Sequence, residues 1–212
     1  DAVPTIGAGA GAAAAATTDD KAAPQKAGGG TTPRPASEAS HGSGLPMVNQ
    51  LWKELEAVGV ENGDLNGVVR ALCCADLFYL LVSACGRVDM LHPWVYDRVR
   101  EVEASPDGML DLWSREHFKS STITFGQTVQ DILKDPEITF GIFSHTRPIA
   151  KAFLRQIMVE LQSNKTLHAA FPDVLWGEDV RQSPKWSEDE GIVVKRKTNP
   201  KEATIEAWGL VD

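Results

Sequence analysis

The chain has 212 residues, with 21 Lys and Arg against 29 Asp and Glu, for a formal net charge of −8. That balance excludes a plain non-specific nucleic-acid binder, which is usually basic, so any nucleic-acid contact must rest on a local patch. The three cysteines, Cys73, Cys74 and Cys85, have no metal-ligand spacing, and their odd count argues against a disulfide framework. In an apolar run they read as buried free thiols of a reducing, cytoplasmic setting.

Residues 1–45 are Ala, Gly, Thr, Ser and Pro with almost no large apolar side chain. Such a segment cannot bury enough surface to offset its ordering entropy and reads as a disordered tail. Ala12–Ala16 is too short and too weakly apolar for a signal-peptide core, and no basic start precedes it.

Residues 46–103 read as a helical segment. Val48, Leu51, Trp52, Leu55 and Val58 recur at helical spacing, and Gly59 with "ENGDLNG" breaks the pattern. Gly67–Cys85 is apolar on most faces, which predicts one central helix packed on several sides. Arg70 and Asp76 inside it argue against a membrane span. In "HPWVYDRVREVE", Trp94, Val95, Val99 and Val102 fall roughly on one helix face.

The character then changes. "SPDG" reads as a turn, "MLDLW" as a short strand and "SREHFK" as a polar connector. Residues 119–134 read as a helix with Ile123, Val129, Ile132 and Leu133 inward, ended by Asp135-Pro136. "ITFGIF" over 138–143 has the near-continuous apolar character of a parallel strand. "SHTRP" opens a further helix, with Pro148 in its first turn and Ile149, Phe153, Ile157 and Leu161 repeating at i+4. Strand, helix, strand, helix implies a right-handed β-α-β unit and a parallel sheet, hence the α/β class. "GIVVKRK" and "EATIEAW" predict a β-hairpin over 191–208 with its turn at Asn199-Pro200.

"MLDLWSREHFKSST" sets a strand, a turn and a helix start in the order of a phosphate-binding P-loop, with Lys119-Ser120 at the hinge. Trp113 and Phe118 stand where G-x-x-x-x-G-K-[ST] has its glycines. A phosphate loop needs inward N–H groups, a helix N-terminus and a lysine that reaches the terminal phosphates, with a hydroxyl beside it for magnesium. Without glycine, such a wrap is expected to keep its φ angles negative. A capped helix start with a surface lysine fits the same residues.

"SREHFKSST" resembles the variant Walker A motif of the large subunit of tailed-phage terminases, the ATPase that packages viral DNA. The resemblance extends through "DMLHPWVYDRVREV", "DPEITFGIFSHTRPIAKAFLRQI", "FPDVLW" and "PKWSEDEGIVVKRKTNPKEATIEAWGLVD", covering about residues 66–212. It implies a partial P-loop NTPase domain of the RecA/helicase-like kind over 104–212. ATP and Mg2+ are the implied cofactors. By position, Lys119 would contact the β- and γ-phosphates and Ser120 would ligate magnesium. Ser114, Arg115, Glu116, His117, Phe118 and Ser121 would complete the nucleotide site, Arg115 as a γ-phosphate sensor or as a surface salt bridge. Trp94 or Tyr96 would lie on the adenine side or simply pack in the core.

His145 and Arg147, past the end of the second strand, become candidates for contact with DNA or a neighbouring subunit. Ser144 or Thr146 as a helix cap explains the same stretch. Lys195, Arg196 and Lys197 are either DNA-phosphate contacts or a solvated edge that discourages aggregation. Glu188, Asp189 and Glu190 read as solvated charge. The implied partners are double-stranded viral DNA, the portal protein and the terminase small subunit, in a homo-oligomeric ring at the procapsid portal in the host cytoplasm, with no membrane. The apolar strand ending in two acids that ATP hydrolysis needs does not occur in the sequence. The resemblance puts it just past Asp212, together with a nuclease domain. The chain thus reads as an N-terminal piece of such a subunit, with little or no turnover alone. Another helicase-like P-loop translocase and a non-catalytic helical adaptor are the alternatives.

Overall fold

The computed structural model describes residues 44–104, 110–177 and 179–211. The expected tail, apart from Gly44 and Leu45, and the expected "SPDG" turn lie outside these residues. Within them the chain is a mixed α/β fold with seven α-helices and a four-stranded mixed sheet.

The helical segment forms as expected, with different boundaries. Helix α1 spans Leu45–Glu61 and α2 spans Leu65–Ala75. Gly59 does not break α1; it lets α2 approach. A Cβ there would sit 2.9 Å from Val68 Cγ2 and 3.1 Å from the Leu65 backbone. Trp52 is the main anchor of α1, whereas Leu51 and Val58 are half exposed.

The single central helix expected over Gly67–Cys85 is instead broken at Asp76. Helix α3 (Leu77–Tyr79) continues as a π-helical turn, Leu80–Ala84, bent by 115° from α2. The cause is the Asp76 carboxylate. It accepts the Tyr79 N–H at 2.9 Å as an N-cap and the Trp52 indole N–H at 3.2 Å, and it pairs with Arg100. Satisfying those three donors in one place outweighs the apolar periodicity that runs through the site. Phe78, Leu80 and Leu81 beyond the bend are fully buried, each contributing about 1.5–3 kcal/mol. Among the described residues, no single helix is long and apolar enough to cross a membrane.

Helix α4 (Pro93–Ala104) buries Val95, Val99 and Val102, as its spacing implies. The free thiols also match expectation. Cys73 is fully buried, and burial pushes its pKa up to about 12; Cys74 and Cys85 are half-buried.

"MLDLW" does not form a strand. Leu110–Trp113 have no ladder partner, and Leu110 and Leu112 stand about 80% exposed (79% and 81%). Strand propensity alone cannot hold a segment whose backbone groups find no neighbouring strand. The helix after it does form. It starts at Lys119, passes through a π-helical stretch Ser121–Gln127, and ends as α5 (Thr128–Lys134) with Asp135 as its C-cap. The two π-helical stretches touch at Gly126, where a Cβ would lie 2.7 Å from Leu81 Cδ2.

Strand β1 (Phe140–Ser144) follows and pairs in parallel with β4 (Ile205–Gly209), from Phe140↔Ile205 to Ser144↔Gly209. Helix α6 (Arg147–Ser163) and helix α7 (Lys165–Ala170) lie between them in sequence. The buried face of α6 is Ala150, Leu154, Ile157 and Leu161. Ile157 and Leu161 are buried as expected, whereas Ile149 is 47% exposed and Phe153 only half-buried, their places taken by Ala150 and Leu154. The expected hairpin over 191–208 is a correction too. The tight hairpin joins β2 (Trp186–Ser187) to β3 (Gly191–Ile192), while β3 meets β4 at one pair, Ile192↔Ile205, across a long connection. The sheet order is β1-β4-β3-β2. One edge of β1 is unpaired and borders a groove of about 400 Å3 against Ile123, Gln127 and Asp131.

Candidate functional site

A cavity of about 530 Å3 is lined by every residue from Trp113 to Ser121, together with Arg87. The loop achieves its wrap in a way the sequence did not suggest. Glu116 (φ 63°) and Phe118 (φ 60°) are the non-glycine residues with left-handed backbone among the described residues. The expectation that this loop wraps with negative φ throughout is therefore wrong. Phe118 adopts a glycine-like conformation at the second glycine's place in the P-loop pattern. Each such residue costs roughly 1–2 kcal/mol, and strain of this kind concentrates at ligand clamps and active sites.

The wrap leads directly into a helix start. Lys119 and Ser120 are the first helical residues, and the first backbone bond runs from Thr122 N–H to Phe118 O at 2.8 Å. The N–H groups of Lys119, Ser120 and Ser121 thus belong to the first turn, which has no intrahelical acceptors. They add to the positive end of the helix dipole. Lys119 is half-buried, while Ser114–His117 and Ser120 are exposed. His117 Nδ1 lies 2.7 Å from the Arg115 carbonyl oxygen, which folds the loop back on itself.

A second, apolar hollow of about 280 Å3 shares Glu116, His117 and Phe118 with this cavity and is walled by Trp94, Val95, His92 and Asp89. Trp94 meets His117 edge-on at 5.1 Å and Trp113 at 5.8 Å. The loop therefore separates a polar compartment from an aromatic one.

The structure brings together Ser114, Arg115, Glu116, His117, Phe118, Lys119, Ser120 and Ser121, with Trp94 next door. Tyr96 is not among them. It packs edge-on against Phe78 at 5.3 Å, under the Arg100 guanidinium. His145 and Arg147 lie past the end of β1. Arg147 donates to the Asp189 carbonyl at 3.0 Å and lies 6.0 Å from the Trp208 ring. Glu188 and Asp189, expected to be merely solvated, sit in the β2–β3 turn and pair with Arg155 and Lys151 of α6. Lys195, Arg196 and Lys197 line a separate cleft.

Arg87 was not legible as a site residue. It donates to both Asp89 oxygens, at 2.9 and 2.8 Å. That pairing raises the guanidinium pKa and lowers the carboxyl's, through the hydrogen bonds first. No periodicity marks it, because only the tertiary fold brings it to the cavity that Lys119 lines.

Among the described residues no group of three His, Cys, Asp or Glu is placed to hold a metal. The donors at the loop are instead the hydroxyls of Ser120 and Ser121. That set fits magnesium, which commonly takes one or two protein oxygens and fills its shell with substrate phosphates and water. Comparison with protein-family models, with curated proteins and with solved structures finds no match.

Proposed function

We propose that the chain is the nucleotide-binding part of an ATP-driven motor that translocates double-stranded DNA, of the kind found in the large subunit of tailed-phage terminases. The observation that carries the reading is Phe118 at φ 60° immediately before Lys119 at a helix start. A bulky residue kept in a glycine conformation there suits a tight anion wrap, since such strain concentrates at ligand clamps.

On this reading Lys119 and the first-turn N–H groups hold the β- and γ-phosphates. The apolar hollow beside Trp94 takes the adenine, with Phe118 as the wall between base and phosphates. Ser120, with Ser121 beside it, would hold magnesium, which neutralises charge developing on the transferred phosphoryl group. Arg115, exposed in the loop, reaches the γ-phosphate or a neighbouring subunit. The pair of carboxylates that activates water is not supplied by the acids that follow β2: Glu188 and Asp189 pair with Arg155 and Lys151 and line no part of the Lys119 cavity. A strand laid parallel to β1 along its open edge would carry such a pair to the Lys119 end, because Asp135–Thr139 alone connect α5 to β1. The chain itself then binds nucleotide and turns it over slowly at most.

The test is fluorescence titration with a labelled ATP analogue and Mg2+. Binding is expected for the natural chain and is lost in Lys119→Ala with the fold intact by circular dichroism. Equal binding by both proteins, or none by either, would sink the reading and favour a helical adaptor.

A further inference from the structure

A cleft of about 420 Å3 lies where the helical run from Lys119 ends, lined by Arg70, Lys134, Glu137, Asp173 and Lys195–Lys197 among others. At 1.5 Å per residue the run puts it roughly 20 Å from Lys119. Five cations meet there with three carboxylates, Asp135, Glu137 and Asp173, in a chain of net charge −8. Arg70 is committed to Asp173, at 2.5 and 2.9 Å. The loop cations make longer-range contact with charge, Lys195 with Asp173 and Arg196 with Glu137. Lys195 donates to the Pro172 carbonyl at 2.9 Å, and Arg196 donates to the carbonyls of Pro200 (3.3 Å) and Glu202 (2.8 Å). Carbonyl dipoles fix where these cations point without cancelling their charge. Arg196 Nη1 is buried with no partner at all.

At the centre of the cleft one anion is already seated. The Glu137 carboxylate accepts the Lys197 N–H at 2.6 Å, the Thr198 N–H at 3.2 Å and the Thr198 hydroxyl. Two successive backbone N–H groups and a hydroxyl, flanked by cations, form an anion nest. These donors hold the Glu137 carboxyl below the usual carboxylate range, the Thr198 hydroxyl foremost. Glu137 comes from the short α5–β1 connection, so its carboxylate can leave without unpacking a helix or strand.

We infer that this cleft binds the phosphodiester backbone of nucleic acid, one phosphate replacing the Glu137 carboxylate in the nest at Lys197 and Thr198. A tetrahedral phosphate offers acceptors to the same donors and adds charge that Arg196 and Lys197 can meet. A single free phosphate would fill the nest alone. A string of phosphates also engages Lys134 and Lys195 at its rims, which is why the backbone is the better match. The inference does not depend on the nucleotide loop.

The experiment is fluorescence anisotropy of a short labelled DNA duplex with the full chain, at rising salt, with inorganic phosphate as competitor. Binding is expected to weaken with a log–log salt slope of about −2 to −3, the mark of two or three phosphates engaged. The double variant Arg196→Gln/Lys197→Gln is expected to weaken binding about tenfold, as two phosphate contacts go. Glu137→Gln, which vacates the charge from the nest, should tighten it by about threefold or more, because the binding-competent fraction rises. Absence of duplex binding at low salt in both the natural chain and Glu137→Gln overturns the inference, as does binding indifferent to the double variant. A Glu137→Gln variant that folds yet binds no tighter overturns the displacement. Inorganic phosphate that matches the duplex in affinity overturns the backbone as ligand.

Discussion

At its first turn, the helical run from Lys119 to Lys134 has three N–H groups without intrahelical acceptors and a lysine that lines a cavity, behind a loop in left-handed φ at Glu116 and Phe118. Beyond its last turn, a comparable set of donors at Lys197 and Thr198 is closed by the chain's own Glu137. One set of donors stands behind a strained loop, and the other is unstrained and met by the chain's own carboxylate. Donor geometry alone therefore does not define a binding site. What decides is whether the protein meets its own donors, and under the proposed function the cost of holding Glu116 and Phe118 in place is borne for a ligand.

The largest expected effect separates the two ends. Lys119→Ala should lower Mg-ATP affinity by roughly tenfold to a hundredfold, the loss of a charge-assisted contact, measured by calorimetric titration. Loss of duplex binding in the same variant would mean the ends are not independent.

The next prediction concerns what joins them. Gly126→Ala drives a methyl into Leu81, which is fully buried and cannot step aside. Overpacking there should cost about 1–3 kcal/mol in urea unfolding. An unchanged midpoint would mean that the two π-helical stretches do not need their close contact.

Much of this was readable in advance, and the exceptions share a cause. The helical segment, the run 119–134 and β1 follow from apolar spacing. The break at Asp76 does not, because the apolar pattern continues across it and only the positions of Trp52 and Arg100 in space supply its partners. "MLDLW" has strand composition, but a strand is a property of a pair and Leu110–Trp113 have no neighbour. On α6 the expected Ile157 and Leu161 are buried, but in the first two turns Ala150 and Leu154 replace Ile149 and Phe153, which are no less apolar, so composition does not choose between them. At the candidate site, Lys119 and Ser120 stood out by spacing. The positive φ of Phe118 was hidden, since side-chain identity at that position argues against the conformation it takes, and Arg87 joins the cavity only through tertiary folding.

A smaller effect tests the strain itself. Glu116 is exposed, so Glu116→Gly removes little packing and relieves the left-handed penalty. Part of that relief is offset by glycine's freer unfolded state, leaving a gain of about 1 kcal/mol at most in thermal unfolding. Phe118→Gly should gain less, because Phe118 also packs against the core. A loss of stability in Glu116→Gly would mean the loop is not strained.

The smallest effect belongs to the far cleft. Asp173 is paired with Arg70, and that hydrogen bond above all lowers its pKa. A depressed carboxylate stabilises the fold above its unfolded pKa and loses that contribution as pH falls through its folded value. Both side chains are well exposed, at 38% and 60%, so Asp173→Asn should cost no more than about 1 kcal/mol at neutral pH. In acid, below the folded value, the two proteins should converge. A gap that persists there would assign the pair a role other than charge.

Whether a loop without glycine forms a phosphate seat from its own backbone is decided by amide chemical shifts of the isotope-labelled chain titrated with Mg-ADP. The amides of Arg115–Ser121 and the Trp94 indole are predicted to move together, those of Lys197 and Thr198 to stay in place, and Lys119→Ala to silence the response. Shifts that skip Arg115–Ser121, or that survive unchanged in Lys119→Ala, would contradict it.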